Sequence, residues 1–217
     1  MNTLIKLIIF DLDGTLINSI EDLAEATNYA LSKNGYPTHE VYKFNHFVGD
    51  GVPTLIERVL PESARFDETI LKVKADFSEY YNEHYSSKTK PYDGIQDLLK
   101  ELMKKDIKLA VASNKPDDFS KAIVSLFFGE IFSYVQGNSP NIPKKPNPQI
   151  AISIMDKLNV SKSECLFVGD TNVDINTAKS AGIKSIGCLW GFRDLEELQV
   201  AQADYIISEP SEILKYI

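Results

Sequence analysis

The chain has 217 residues, 43% of them hydrophobic and 25% charged, which is the composition of a globular protein able to bury a core. Its net charge of −8 argues against a general nucleic-acid or membrane-surface binder, because both partners repel an acidic surface. Any site for an anionic ligand must then be made locally positive by a lysine, by backbone N–H groups or by a metal ion.

Leu4 to Phe10 is a nearly continuous apolar run, the pattern of a central parallel strand covered on both faces. It meets two aspartates within a dozen residues, is too short for a membrane span and lacks a small-residue cleavage site, so a cytoplasmic protein is expected. The strand leads directly into Asp11-Leu12-Asp13-Gly14-Thr15. In open α/β sheets ligands bind at the carboxyl ends of strands, so two carboxylates two residues apart can serve one reaction centre in different roles. Read blandly, the same residues are a polar turn with Gly14 supplying a positive φ.

Residues 18–89 are different in kind. Ile20, Leu23, Ala24, Thr27, Ala30 and Leu31 mark one face of a helix that Gly35 and Pro37 end. Val52–Leu60 and Asp67–Tyr85 also have helical spacing, and the aromatics Phe77, Tyr80, Tyr81 and Tyr85 fit the core of such a block. No strand pattern interrupts it, so an all-helical domain is expected here, inserted between residues 1–17 and 90–217 of an α/β core.

From residue 90 the pattern alternates. Apolar runs at Ile107–Ala112, Cys165–Val168 and Ile183–Leu189, with weaker ones at Ile131–Gln136 and Tyr205–Ile207, predict strands. Between them Ile95–Lys105, Asp117–Phe127, Pro148–Leu158 and Asn172–Ala181 predict helices, which makes a doubly wound parallel sheet. Cys165 and Cys188 sit in apolar runs and read as buried, reduced thiols.

Three further polar features fall at strand ends, or at the helix starts that follow, in this half. Ser113-Asn114 offers a hydroxyl and the N–H groups of a helix start to an anion, although alone such a pair is more often just a helix cap. Lys145, flanked by Pro146 and Pro148, can neutralise a phosphoryl oxygen; an isolated Lys-Lys pair is otherwise a solvated loop. Asp170 and Asp174, in Gly169-Asp170-Thr171-Asn172-Val173-Asp174, offer oxygen ligands of the kind magnesium takes, or else cap the helix and complement its dipole.

Together, and in this order, the four features resemble the motifs of the haloacid dehalogenase-like (HAD) phosphohydrolase superfamily, over nearly the whole chain. The resemblance implies a Rossmann-like core with a C1-type helical cap and a Mg2+-dependent phosphatase acting on a small phosphorylated metabolite through an aspartyl-phosphate. It implies Asp11 as nucleophile, Asp13 as general acid/base and Lys145 as the motif lysine, with Gly14, Thr15, Ser113 and Asn114 beside the phosphate. Magnesium is implied at the side chains of Asp11 and Asp170 and the backbone carbonyl of Asp13, with Asp174 as partner. Finer features are similar to phosphoglycolate phosphatases: Leu16 to Leu23, Pro91 to Ile95, Trp190-Gly191-Phe192, and Phe47-Val48-Gly49-Asp50-Gly51. The last would be a substrate-specificity loop of Gly49, Asp50 and Gly51, with Arg58 a solvated helix residue. A phosphosugar mutase of the β-phosphoglucomutase kind is the alternative; a slow phospho-aspartate signalling module and a non-catalytic relative fit less well. A monomer or weak homodimer is expected, with no nucleic-acid or membrane partner.

Overall fold

The computed structural model describes residues 4–217, so the first three residues of the expected core segment lie outside it. In chain order, β1 (Leu7–Phe10) and β2 (Ile17–Asn18) precede the helices α1 (Ile20–Lys33), α2 (Phe44–Phe47), α3 (Val52–Val59) and α4 (Asp67–His84). There follow β3 (Lys90–Pro91), α5 (Ile95–Lys104), β4 (Lys108–Pro116), α6 (Asp117–Phe128), β5 (Tyr134–Asn138) and α7 (Gln149–Leu158). The chain ends with β6 (Cys165–Gly169), α8 (Asn172–Ala181), β7 (Lys184–Cys188), α9 (Leu195–Val200) and β8 (Tyr205–Ile207).

The chain divides into two compact units, one formed by Met1–Ile17 with Pro91–Ile217 and the other by Asn18–Lys90. In the first, six strands form a sheet in the order β5-β4-β1-β6-β7-β8. Every pairing in it is parallel. This is the doubly wound α/β core that the alternating pattern predicts. Leu7, Ile9, Ala110, Cys165 and Phe167 point to one face, where Ile150, Ile154 and Met155 of α7 and Ala178 and Ala181 of α8 cover them. Both cysteines are buried free thiols.

Register explains how the site is assembled. Phe10 lies beside Val111 of β4 on one side and Val168 of β6 on the other. β1 ends there and Asp11 follows it, β6 ends one residue later at Gly169 with Asp170 next, and β4 carries Ser113 to the same rim before running on to Pro116. Where a parallel sheet ends, backbone N–H groups and helix starts gather, and a polar loop costs least.

Several boundaries differ from the sequence pattern. The first strand begins at Leu7 because pairing with Lys108 and Cys165 begins there, and Leu4 is 71% exposed. β4 runs on through Ser113, Asn114 and Lys115, with a register irregularity between Ala112 and Pro116. Polar residues therefore belong to the strand itself, since its end is closed by hydrogen bonds rather than by apolar burial. The two-residue strands β2 and β3 pair with each other at the chain's two crossings between units.

The second unit is helical apart from Asn18 and Lys90 at its ends, and it contains the short α2 that the spacing does not predict. Among the expected core aromatics, Phe77 and Tyr81 are buried and stack on one another with centroids 5.2 Å apart. Tyr80 and Tyr85 are only half-buried, and Tyr80 stacks on Tyr29 instead. Asp22 in the first turn of α1 is buried, which is tolerable because it accepts hydrogen bonds from the Lys88 N–H and from the Thr89 N–H and hydroxyl.

Candidate active site

The loop after β1 turns tightly. Leu12 O accepts from the N–H groups of Thr15, Leu16 and Ile17, and the Gly14 N–H donates to Ile17 O. Gly14 has φ +92, and a Cβ there would lie 2.3 Å from an Asp170 carboxylate oxygen. Only glycine meets both demands, so its absent side chain is what lets the first and last acidic loops touch.

Asp11, Asp170 and Asp174 are all buried, and each offers an oxygen within 4.8 Å of the others. The Lys145 ammonium lies among them, 2.7 Å from Asp11 Oδ1 and 2.7 Å from Asp174 Oδ1. Asn114 holds that lysine in place: its Nδ2 donates to Lys145 O (3.1 Å) and its Oδ1 accepts from the Lys145 N–H (2.8 Å). Its amide thus belongs to the lysine loop, whereas sequence considered only an anion cradle or a cap at this position. The Ser113 hydroxyl is buried and accepts from the Lys115 N–H at 3.1 Å.

Each acid is fixed by its own partners. Asp174 stands in the first turn of α8, and its Oδ2 accepts from the Thr171 N–H (3.1 Å) and hydroxyl (2.8 Å). Its capping and site positions are therefore one arrangement, with the second oxygen left to Lys145. Asp170 accepts from the Thr15 hydroxyl (3.0 Å) and from the Phe192 N–H (2.8 Å). The Phe192 loop is itself anchored by Trp190, whose indole N–H donates to Thr15 O at 2.9 Å. Trp190 and Phe192, points of family similarity in the sequence, thus seat an acid.

Three buried carboxylates cluster around one ammonium, which contacts Asp11 and Asp174. Burial, reinforced by the charges of Asp174 and Asp170, pushes the Asp11 carboxyl well above the usual carboxylate range, against the pull of Lys145. Burial and the neighbouring Asp174 push Asp170 up to about 7, although its hydrogen bonds to Phe192 and Thr15 oppose the shift. Burial alone would lower Lys145, but the charges of Asp11 and Asp174 outweigh it and keep the ammonium charged. The site is thus short of positive charge, and an all-oxygen donor set of this kind suits a hard divalent cation.

Sequence reasoning missed one cation. Lys115, buried at the end of β4, places its Nζ 3.1 and 3.3 Å from the two carboxylate oxygens of Asp13. Nothing in the sequence marks it, because the contact joins residues 102 positions apart.

In the helical unit, Gly49 and Gly51 adopt φ of 117 and 85, which only glycine takes without strain. The Asp50 carboxylate is paired with the Arg58 guanidinium, which also donates to Phe47 O at 3.0 Å. Arg58, expected as a solvated helix residue, keeps its side chain 36% exposed and adds a partner the sequence does not show: from eight residues on, in α3, its fork reaches back over the loop and neutralises the acid there.

Known proteins converge on the same reading. The haloacid dehalogenase-like hydrolase family matches residues 8–188. The phosphoglycolate phosphatase of Aquifex aeolicus is 35% identical over 211 residues, covering 97% of this chain and 95% of its own. That of Pectobacterium atrosepticum is 32% identical over 222 residues, covering 99% and 93%. Among solved structures, a predicted phosphoglycolate phosphatase from Haemophilus somnus superposes with a TM-score of 0.91 at 30% identity, covering 98% of each chain. A family match over most of the sequence, with near-full-length relatives that are phosphatases, leads to one conclusion: the chain belongs to the haloacid dehalogenase-like hydrolase family, as a phosphoric monoester hydrolase.

Proposed function

We propose that the protein hydrolyses a small phosphomonoester, of the kind represented by 2-phosphoglycolate, with Asp11 as the nucleophile. The observation that carries this reading is the placement of Asp11 at the carboxyl end of β1, with Lys145 2.7 Å from its carboxylate and Asp170 and Asp174 alongside.

Asp11 attacks phosphorus in line with the ester oxygen, so that an Asp11–phosphoryl bond forms as the ester bond breaks. Asp13 gives the departing oxygen its proton and then takes one from the water that cleaves the acyl phosphate. Lys145 offsets the negative charge that nucleophile and phosphoryl group bring together. The Ser113 hydroxyl, the backbone at Asn114, Gly14 and Thr15 line the same rim and complete the phosphate site. Magnesium fits the donor set of Asp11 and Asp170, with the Asp13 carbonyl and Asp174 as further partners; when bound it supplies Lewis-acid neutralisation of the phosphoryl oxygens. The helical unit, residues 18–89 on the sequence reading, is assigned as the cap, and Gly49, Asp50 and Gly51 as residues that set substrate preference. Among the described residues no helix is long and apolar enough to cross a membrane; a cytoplasmic location is part of the proposal.

Phosphate release from a panel of phosphorylated metabolites, with magnesium present, tests the reading. Inorganic phosphate should be the product, with 2-phosphoglycolate among the better substrates. Phosphate appearing on a second hydroxyl of a sugar would make the protein a mutase instead, and no release from any ester would end the proposal.

Cation binding should also register as stability. Without a cation the folded chain holds a proton on Asp170 up to about pH 7, whereas an unfolded aspartate ionises near 4. Stability therefore falls as pH rises through that window, because the folded state binds more protons than the unfolded one. Millimolar Mg2+ must displace those protons, so it should raise Tm by about 5–10 °C at pH near 8 and by under about 2 °C at pH near 5.5. Thermal melts at the two pH values check this, and an equal shift at both would contradict it.

A further inference from the structure

Two buried ammonium groups serve different acids of this site. Lys145 serves Asp11 and Asp174, whereas Lys115 serves Asp13. Lysine is seldom buried unless its charge is met, and Lys115 is 7% exposed. Its backbone is fixed where β4 passes into α6: its N–H donates to Ser113 Oγ (3.1 Å) and its carbonyl accepts from Ser120 Oγ (3.2 Å). The ammonium is thus a fixed post, reaching across from β4 to the loop after β1. It touches both oxygens of Asp13, at 3.1 and 3.3 Å, which sets the plane of the carboxyl as well as its position.

We infer that Lys115 is a positioning residue for the proton transfers assigned to Asp13, a role that rests on the reaction proposed above. As the bond from phosphorus to the ester oxygen breaks and the Asp11–phosphoryl bond forms, the proton of Asp13 passes to the departing oxygen and the electron pair stays on the carboxyl. A carboxyl turned away from that oxygen cannot deliver it; one gripped at both oxygens from the β4 side has lost that freedom before the substrate arrives. The charge left on Asp13 also arises facing an ammonium, in surroundings where such a contact is strong. Lys145 cannot do this work, since Asp11 and Asp174 already occupy it.

The role makes a demand that ordinary structural support does not. An alkyl phosphomonoester must have its leaving oxygen protonated, whereas 2,4-dinitrophenolate departs unaided. The quantity to compare is kcat/KM, which reports steps only through loss of the leaving group. Lys115→Met should lower it roughly 10²-fold for 2-phosphoglycolate and under about threefold for 2,4-dinitrophenyl phosphate, in line with the worth of a general acid. Retained activity on the activated ester shows at the same time that the variant is folded. Lys115→Arg, which keeps the charge and a fork for both oxygens, should recover much of the loss on the alkyl ester. Equal losses on the two esters, or no loss on either, would overturn the inference and leave the phosphatase reading standing. A wild-type chain that releases phosphate from neither ester would instead refute that reading, and this inference with it.

Discussion

Asp11→Asn should lower kcat by about 10⁵-fold or more, because an amide cannot form the acyl phosphate and no other nucleophile stands in its place. The fold should survive, and without added metal the variant should melt at least as high as the wild type. The reason is electrostatic. The buried cluster sets three carboxylates against one ammonium, and burial with the charges of Asp174 and Asp170 drives the Asp11 carboxyl far above its ordinary range. Removing that charge relieves repulsion while a side chain of the same shape stays in place. Activity and stability should therefore move in opposite directions, a signature of a group held for chemistry rather than for folding. Phosphate release and a thermal melt on the same preparation test both halves. Undiminished turnover would end the covalent mechanism, and a collapsed Tm would mean that Asp11 is structural.

Lys145→Met should damage both properties. Methionine follows the lysine's path with little change in volume, so what is lost is the ammonium 2.7 Å from Asp11 and from Asp174. Breaking a buried ion pair by removing one partner costs about 3–5 kcal/mol, which for a domain of this size lowers Tm by roughly 6–20 °C. The ammonium is charged at every ordinary pH, since the acids beside it hold its pKa above the usual lysine value. The loss should nonetheless be larger near pH 8 than near pH 5.5, because at the lower pH the stranded carboxyls can take up protons. Turnover should fall about 10³-fold, the worth of a charge-stabilising donor at a transition state. Melts at the two pH values and phosphate-release kinetics separate these effects. A variant as stable as the wild type at pH 8 would mean that the three acids do not share a charge-starved pocket.

Read alone, the sequence fixes the parallel sheet, because long apolar runs alternating with amphipathic stretches leave a chain no other way to bury both faces of its strands. It also marks Asp11, Asp13, Ser113, Lys145, Asp170 and Asp174, since polar residues placed directly after such strands, or at the helix starts that follow, stand where the edge of the sheet meets solvent. These are properties of neighbours along the chain, which periodicity records. Contacts made across the chain were decided by tertiary structure. The grip of Lys115 on Asp13, the Asn114 amide that holds the Lys145 backbone, the Phe192 N–H that seats Asp170 and the Arg58 fork over Asp50 all depend on register or on a loop's path. A pattern of apolar and polar residues says which side of an element is buried. It does not say which distant charge will be waiting there, because that is set by strand order and by how far a side chain can reach once the sheet has formed.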